Sequence, residues 1–222
     1  MRFWTALSAL WVCAAAQAAV YRFDMGGPDT PLAPGYTLVT KETTLEQSPA
    51  YGWRKPGKRL VFRGVPTNPF FHDRSSLEYM LYSDGVLTIE ENIFEFKVEP
   101  GSYRVSAVIG DLSPGEDRPG NSLWANGVQV ASNELTDGTV KIFSFAVDAP
   151  DGRIALRFRA DSVQKYSTVM SVTADPLAPG ADRTPAKMEL PSRKPGKEDY
   201  LRNWKVWQAD YVAVWEKAKA EL

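Results

Sequence analysis

The chain is 222 residues long with 26 basic and 27 acidic side chains, a formal net charge of −1. So even a balance excludes the strong positive field that draws a protein to nucleic acid or to an anionic membrane surface. A single cysteine and a single histidine exclude a disulfide framework within the chain and a His/Cys metal cluster, and the length suits one core with a tail rather than two full domains.

The first residues have the layout of a secretory signal. Arg2 is the only charge before Arg22, an apolar run extends from Phe3 to Ala16, and Ala16-Gln17-Ala18 supplies the small-x-small pattern that signal peptidase requires, with cleavage after Ala18. A membrane span needs about 20 apolar residues, and Gln17 and Arg22 bracket this run too closely. Cys13 leaves with the signal, and no small residue precedes it as a lipidation site would have. The mature chain is expected to be secreted or periplasmic, free of the membrane, without cysteine, and held by core packing alone.

From residue 19 to residue 175, short apolar or alternating runs recur every eight to twelve positions between Gly, Pro and Asn turns, the pattern of an all-β domain. Strands are predicted at Val20–Met25, Thr37–Val39, Leu60–Phe62, Met80–Tyr82, Val86–Glu90, Ile93–Val98, Gly101–Ile109, Ser122–Trp124, Val128–Ala131, Thr139–Val147, Arg153–Arg159 and Val169–Ala174. In Tyr103–Val108, Lys141–Val147 and Ile154–Arg159 the large apolar groups fall on one face, as each half of a two-layer structure requires. The order points to antiparallel strands in a jelly-roll β-sandwich. Residues 176–197, with Pro176, Pro179, Pro185, Pro191 and Pro195, read as an extended linker. In residues 198–222 the spacing of Tyr200, Trp204, Trp207, Tyr211, Val214 and Ala218 predicts an amphipathic helix. Its aromatic stripe either folds back on the sandwich or meets a partner or a second copy, with Trp204, Trp207 and Tyr211 as the docking residues.

Phe23-Asp24-Met25-Gly26, then Leu32-Ala33-Pro34-Gly35-Tyr36-Thr37-Leu38-Val39, then Tyr51-Gly52-Trp53 resemble the opening of malectin-like, galactose-binding-like modules. They are most similar to the sandwich domain that precedes the catalytic domain in bacterial rhamnogalacturonan acetylesterases. Asp73-Arg74, Gly101–Val105, Ile109-Gly110-Asp111 and Trp124-Ala125-Asn126-Gly127-Val128 continue the likeness over roughly residues 20 to 175. The resemblance implies a jelly roll that holds or presents glycans. In those esterases the Gly-Asp-Ser nucleophile belongs to the hydrolase domain that follows the sandwich, and Gly110-Asp111-Leu112 here has no serine, so the resemblance implies no hydrolysis.

Sugar recognition needs an aromatic face to stack on a pyranose and planar polar heads to hold its hydroxyls. The candidates are Tyr51 and Trp53, then His72 and Arg74 beside Phe70-Phe71, then Asp111, Arg118, Asn121 and Trp124 around a loop stiffened by Pro114-Gly115 and Pro119-Gly120. The same aromatics could instead pack at the core edge, and Asp73-Arg74 or Asp111-Arg118 could be structural ion pairs. No organic cofactor is expected; a structural calcium could sit between Asp24 and Asp175 if the first and last strands meet. Three functions follow. The first is a non-catalytic carbohydrate-binding module, and the second an assembly domain docking through the C-terminal helix. The third is a small polysaccharide-active hydrolase that uses converging carboxylates among Asp84, Glu90, Glu91, Asp111, Glu116 and Asp117, or His72 with Ser75 or Ser76.

Overall fold

The computed structural model describes residues 19–62, 77–82, 84–111, 120–134, 139–161 and 166–190. The expected signal segment and the aromatic helix with Trp204, Trp207 and Tyr211 lie outside them. The chain forms β1 (Tyr21–Met25), β2 (Thr37–Val39), β3 (Tyr51–Trp53), β4 (Arg59–Phe62), α1 (Leu77–Tyr82), β5 (Asp84–Ile89), β6 (Glu91–Lys97) and β7 (Gly101–Asp111). It continues with β8 (Asn121–Ala125), β9 (Val128–Glu134), β10 (Thr139–Ala149), β11 (Arg153–Ala160), β12 (Tyr166–Pro176) and β13 (Ala186–Leu190).

Two sheets face each other as a β-sandwich. One runs β13-β10-β7-β12-β1-β2, with β5 also on β12 and β4 on β5; the other runs β3-β6-β11-β8-β9. All strand pairs are antiparallel except β1 with β2. Alternation sets the layers. In β11, Ile154, Leu156 and Phe158 are buried between the sheets while Arg153, Arg157 and Arg159 point away. The core is aromatic where the sheets meet: Phe23 of one sheet lies 5.1 Å from Phe94 and 5.0 Å from Phe96 of the other, and Trp53 lies 5.2 Å from Phe94. The β8–β9 hairpin turns on Asn126 and Gly127, both at positive φ, as a two-residue connection between twisted strands demands.

Long β12 carries two strands on one edge. Residues 166–169 pair with β5 and residues 171–174 with β1, the change falling at an irregularity between Val169 and Ser171. Thus β1 and β5 abut end to end, and the Gly26–Tyr36 connection crosses the junction.

Three expectations are corrected. Met80–Tyr82 belongs to a helix, because Leu77, Met80 and Leu81 recur at helical spacing; Leu81 is buried, and Tyr82 packs on a second cluster of Val108, Val140 and Met170. Tyr51–Trp53, absent from the predicted strands, is an edge strand paired with Phe94–Phe96. Within the proline-rich segment, Ala186–Leu190 adds a strand to β10, and Arg104 reaches the Asp182 and Thr184 carbonyls just before it.

Trp53 is fully buried among Phe94 and Phe158. Trp53→Ala is expected to cost about 3–5 kcal/mol of unfolding free energy in chemical denaturation, the range for an emptied aromatic site.

Candidate functional site

A pocket of about 210 Å³ opens where the β2–β3 connection lies over the edge of the five-stranded sheet, lined by Glu42, Thr44, Glu46, Gln47, Arg54 and Pro56. Its wall is held by the backbone. Leu45 N–H donates to the Trp53 carbonyl (3.1 Å), Trp53 N–H to the Thr43 carbonyl (2.8 Å), and Gln47 and Ser48 N–H to the Thr44 carbonyl. Gly52 permits this approach: a Cβ there would stand 2.5 Å from the Thr44 carbonyl carbon and 2.8 Å from Leu45 N.

Behind Arg54, which lines the pocket, lies an ion-pair network. Glu95 is directly across from Gly52 and buried; Arg54 donates to its Oε2 through Nε (3.3 Å) and a terminal nitrogen (2.7 Å), and Arg153 donates to its Oε1. Burial pushes the Glu95 carboxyl up, but the two guanidinium groups outweigh it and hold it below the usual range. Asn92 fixes the neighbouring turn by accepting from Lys55 N–H and donating to the Lys55 carbonyl. The pocket therefore presents acceptors (Glu42, Glu46), a hydroxyl, an amide and a positioned guanidinium to one small volume. That set hydrogen-bonds a polyhydroxylated ligand. Glu42 is held below its usual value by the adjacent Lys41, so it is a carboxylate acceptor rather than a proton donor.

The aromatic candidates turn inward. Alternation along β3 sends Tyr51 onto Phe23 (5.3 Å) and Trp53 into the core, leaving Gly52 to face the pocket wall. Trp124 is on the outward face, but the Arg157 guanidinium covers its ring at 3.9 Å and that of Arg159 sits at 4.7 Å, so it is largely buried. Asn121 is buried at the start of β8, opposite Ala160 and Glu134. Asp111 closes β7 opposite Thr139, at the same end of the sandwich as Asn121. Its side chain lies outside the described residues, as do Arg118, His72 and Arg74. Of the hydrolase carboxylates, Asp84 is set apart from Glu91: the two flank opposite ends of β5, roughly 17 Å of strand apart, and Glu91 faces Arg157 at 3.6 Å, while Glu116 and Asp117 lie outside the described residues.

Asp24 and Asp175 are also kept apart. Asp24 pairs with Ser171, and Asp175 lies four residues further along β12, about 13 Å away. Arg22 occupies the same face between them. What Asp24 approaches is Asp84, at the β1–β5 junction. Both are buried, and desolvation pushes Asp24 up to about 6 and Asp84 up to about 7, the latter reinforced by the charge on Asp24.

Sequence patterning did not single out Thr44, Glu46, Gln47 and Arg54. The available signal was the polar Thr40–Ser48 stretch set between two short strands and followed by a glycine flanked by aromatics.

Because the Glu95 carboxyl is depressed in the folded state, the stability it contributes is present above the ordinary carboxylate range and is lost as pH falls through the depressed value. Glu95→Gln is expected to lower stability at pH 7 by about 1–2 kcal/mol, discounted for the half-exposed arginines. It should also flatten the acid limb of a thermal-melting profile between about pH 5 and pH 3.

No family model matches the chain, and no curated protein matches it. Solved structures do. Protein YxiM from Bacillus subtilis aligns at TM-score 0.54 and 22% identity over 72% of this chain and 40% of that one. The ANXUR2 extracellular domain from Arabidopsis thaliana aligns at 0.52 and 11% over 76% and 46%, and the plant receptor-like kinase FER at 0.51 and 13% over 72% and 42%. The chain thus spans less than half the length of each. The likeness is one of fold: the chain is a two-sheet β-sandwich similar to the domains of these extracellular proteins.

Proposed function

We propose that the chain is a secreted or periplasmic, non-catalytic carbohydrate-binding module, a galactose-binding-like jelly roll that takes an oligo- or polysaccharide at the pocket between the β2–β3 connection and Arg54. The observation that carries this reading is the pocket's donor and acceptor set. Thr44, Glu46, Gln47 and Arg54 surround one volume, and Arg54 is anchored from behind by Glu95. Such a group arrives oriented, which lowers the entropy lost on binding. A sugar offers the matching array of hydroxyls, each able to donate and accept.

The small volume and the single apolar wall group, Pro56, suit contact with part of one glycosyl unit rather than burial of a long segment. Binding is then carried by hydrogen bonds more than by stacking, and affinity for a single unit is modest. Repetition along a polymer raises the apparent affinity. The malectin-like fold supports an extracellular ligand-holding role, as does the expected signal at residues 1–18. Against catalysis stand the separation of Asp84 from Glu91 and the Lys41-paired state of Glu42.

Affinity-gel electrophoresis against plant and algal polysaccharides tests the reading. The wild-type protein is expected to be retarded by at least one polymer, with Gln47→Ala and Arg54→Ala weakening binding about tenfold or more. Gln47→Ala should melt at the wild-type temperature. Retention of full affinity by both variants would remove the pocket from the binding site.

A further inference from the structure

The junction of β1 and β5 holds two buried carboxylates with too few partners. Asp24 Oδ2 accepts the Ala33 N–H (2.9 Å), but Asp24 Oδ1 and both oxygens of Asp84 have no hydrogen-bond partner. Both residues are at least 98% buried. The Thr30 hydroxyl and the Gly27 amide lie close enough to Asp84 to offset part of its burial, but their hydrogen bonds go to each other: Gly27 N–H donates to Thr30 Oγ1 (3.0 Å), and the Thr30 hydroxyl donates to the Gly27 carbonyl (2.8 Å). The backbone is shaped around the carboxylate. A Cβ at Gly26 would stand 2.1 Å from Asp84 Oδ2 and 2.8 Å from Thr30 Oγ1, so only glycine lets Asp84 seat there. On β12, Ser171 lies across from Asp24 and is also buried.

Two buried carboxylates with three unpartnered oxygens between them are costly unless a positive charge joins them. Among the described residues, no lysine or arginine ion-pairs with either in the structure. The geometry points to a divalent-cation site of the calcium class at this junction, with Asp24 Oδ1, Asp84 Oδ1 and Oδ2, and Thr30 Oγ1 as oxygen ligands and water completing the shell. The donors are all hard oxygens, which suit calcium rather than a softer transition metal. The cation would tie the end of β1 and the Gly26–Tyr36 connection to the start of β5, joining two strands that hydrogen-bond to β12 rather than to each other. This site differs in its second carboxylate from the Asp24–Asp175 arrangement, which the strand register rules out.

The test is a thermal melt of the whole protein at pH 7.5, stripped with chelator and then titrated with calcium chloride, alongside isothermal titration calorimetry. The wild-type midpoint is expected to rise by roughly 5–10 °C at calcium one hundred times its Kd, with one ion bound per chain. Asp84→Asn, which keeps the side-chain shape, abolishes both the shift and the calorimetric signal, and Asp175→Asn keeps them. Absence of any calcium or magnesium response in the folded wild type would overturn the site. So would a response that survives in Asp84→Asn and in Asp24→Asn. If the stripped protein instead melts higher at pH 5 than at pH 7.5, with no response to either ion, a shared proton fills the junction and the cation site is refuted.

Discussion

Packing of Phe23 against Phe94 and Phe96 is the contact on which the rest of the molecule depends. It is the place where an early strand of one sheet meets a strand of the other. With no cysteine after residue 13, no disulfide ties the sheets together. Tilted and edge-on ring pairs of this kind are worth about 0.5–1.5 kcal/mol each beyond the area they bury. Tyr51, Trp53 and Phe158 extend the cluster to the sheet edge. Fixing Trp53 inward fixes Gly52 outward, and the outward glycine is what the pocket wall rests on.

Packing and recognition are therefore two faces of the same strands. The period of two that buries Ile154, Leu156 and Phe158 also lines Arg153, Arg157 and Arg159 along the opposite surface. Glu95 and Asp161 neutralise part of that row, and Trp124 lies beneath Arg157 and Arg159. The five-stranded sheet thus shows its surroundings a patterned polar face, while the eight-stranded sheet has α1 packed on part of its outer face.

Much of the architecture was legible in the residues, because strict alternation in β7, β10 and β11 and the Asn126-Gly127 turn each admit few structures. Short elements were less so. Leu77–Tyr82 is six residues long, where strand and helix patterns overlap, and Tyr51–Trp53 is three residues, too short for a period to declare itself. The candidate site was less legible still. Aromatic content drew attention to Tyr51, Trp53 and Trp124, but a ring used for stacking and a ring used for packing are the same residue in sequence; only strand parity and the neighbouring arginines separate them. The pairing of Asp24 with Asp84 arises from two strands sharing one edge of β12, a relation between positions sixty residues apart that local pattern does not encode.

That shared edge bears on how the chain reaches its native state. Strand β12 is the hub of its sheet: it joins β1 from the N-terminal part, β5 from the middle and β7 on its other side, and it arrives after residue 165. Until it is in place, β1 and β5 have no common neighbour, and the apolar faces of Phe23, Met25 and Val86 are only half covered. Loop closure over such spans is slow compared with forming a local hairpin. Docking of β12 makes the longest-range pairings of this sheet, and without it the edges of β1 and β5 that it covers are left unpaired.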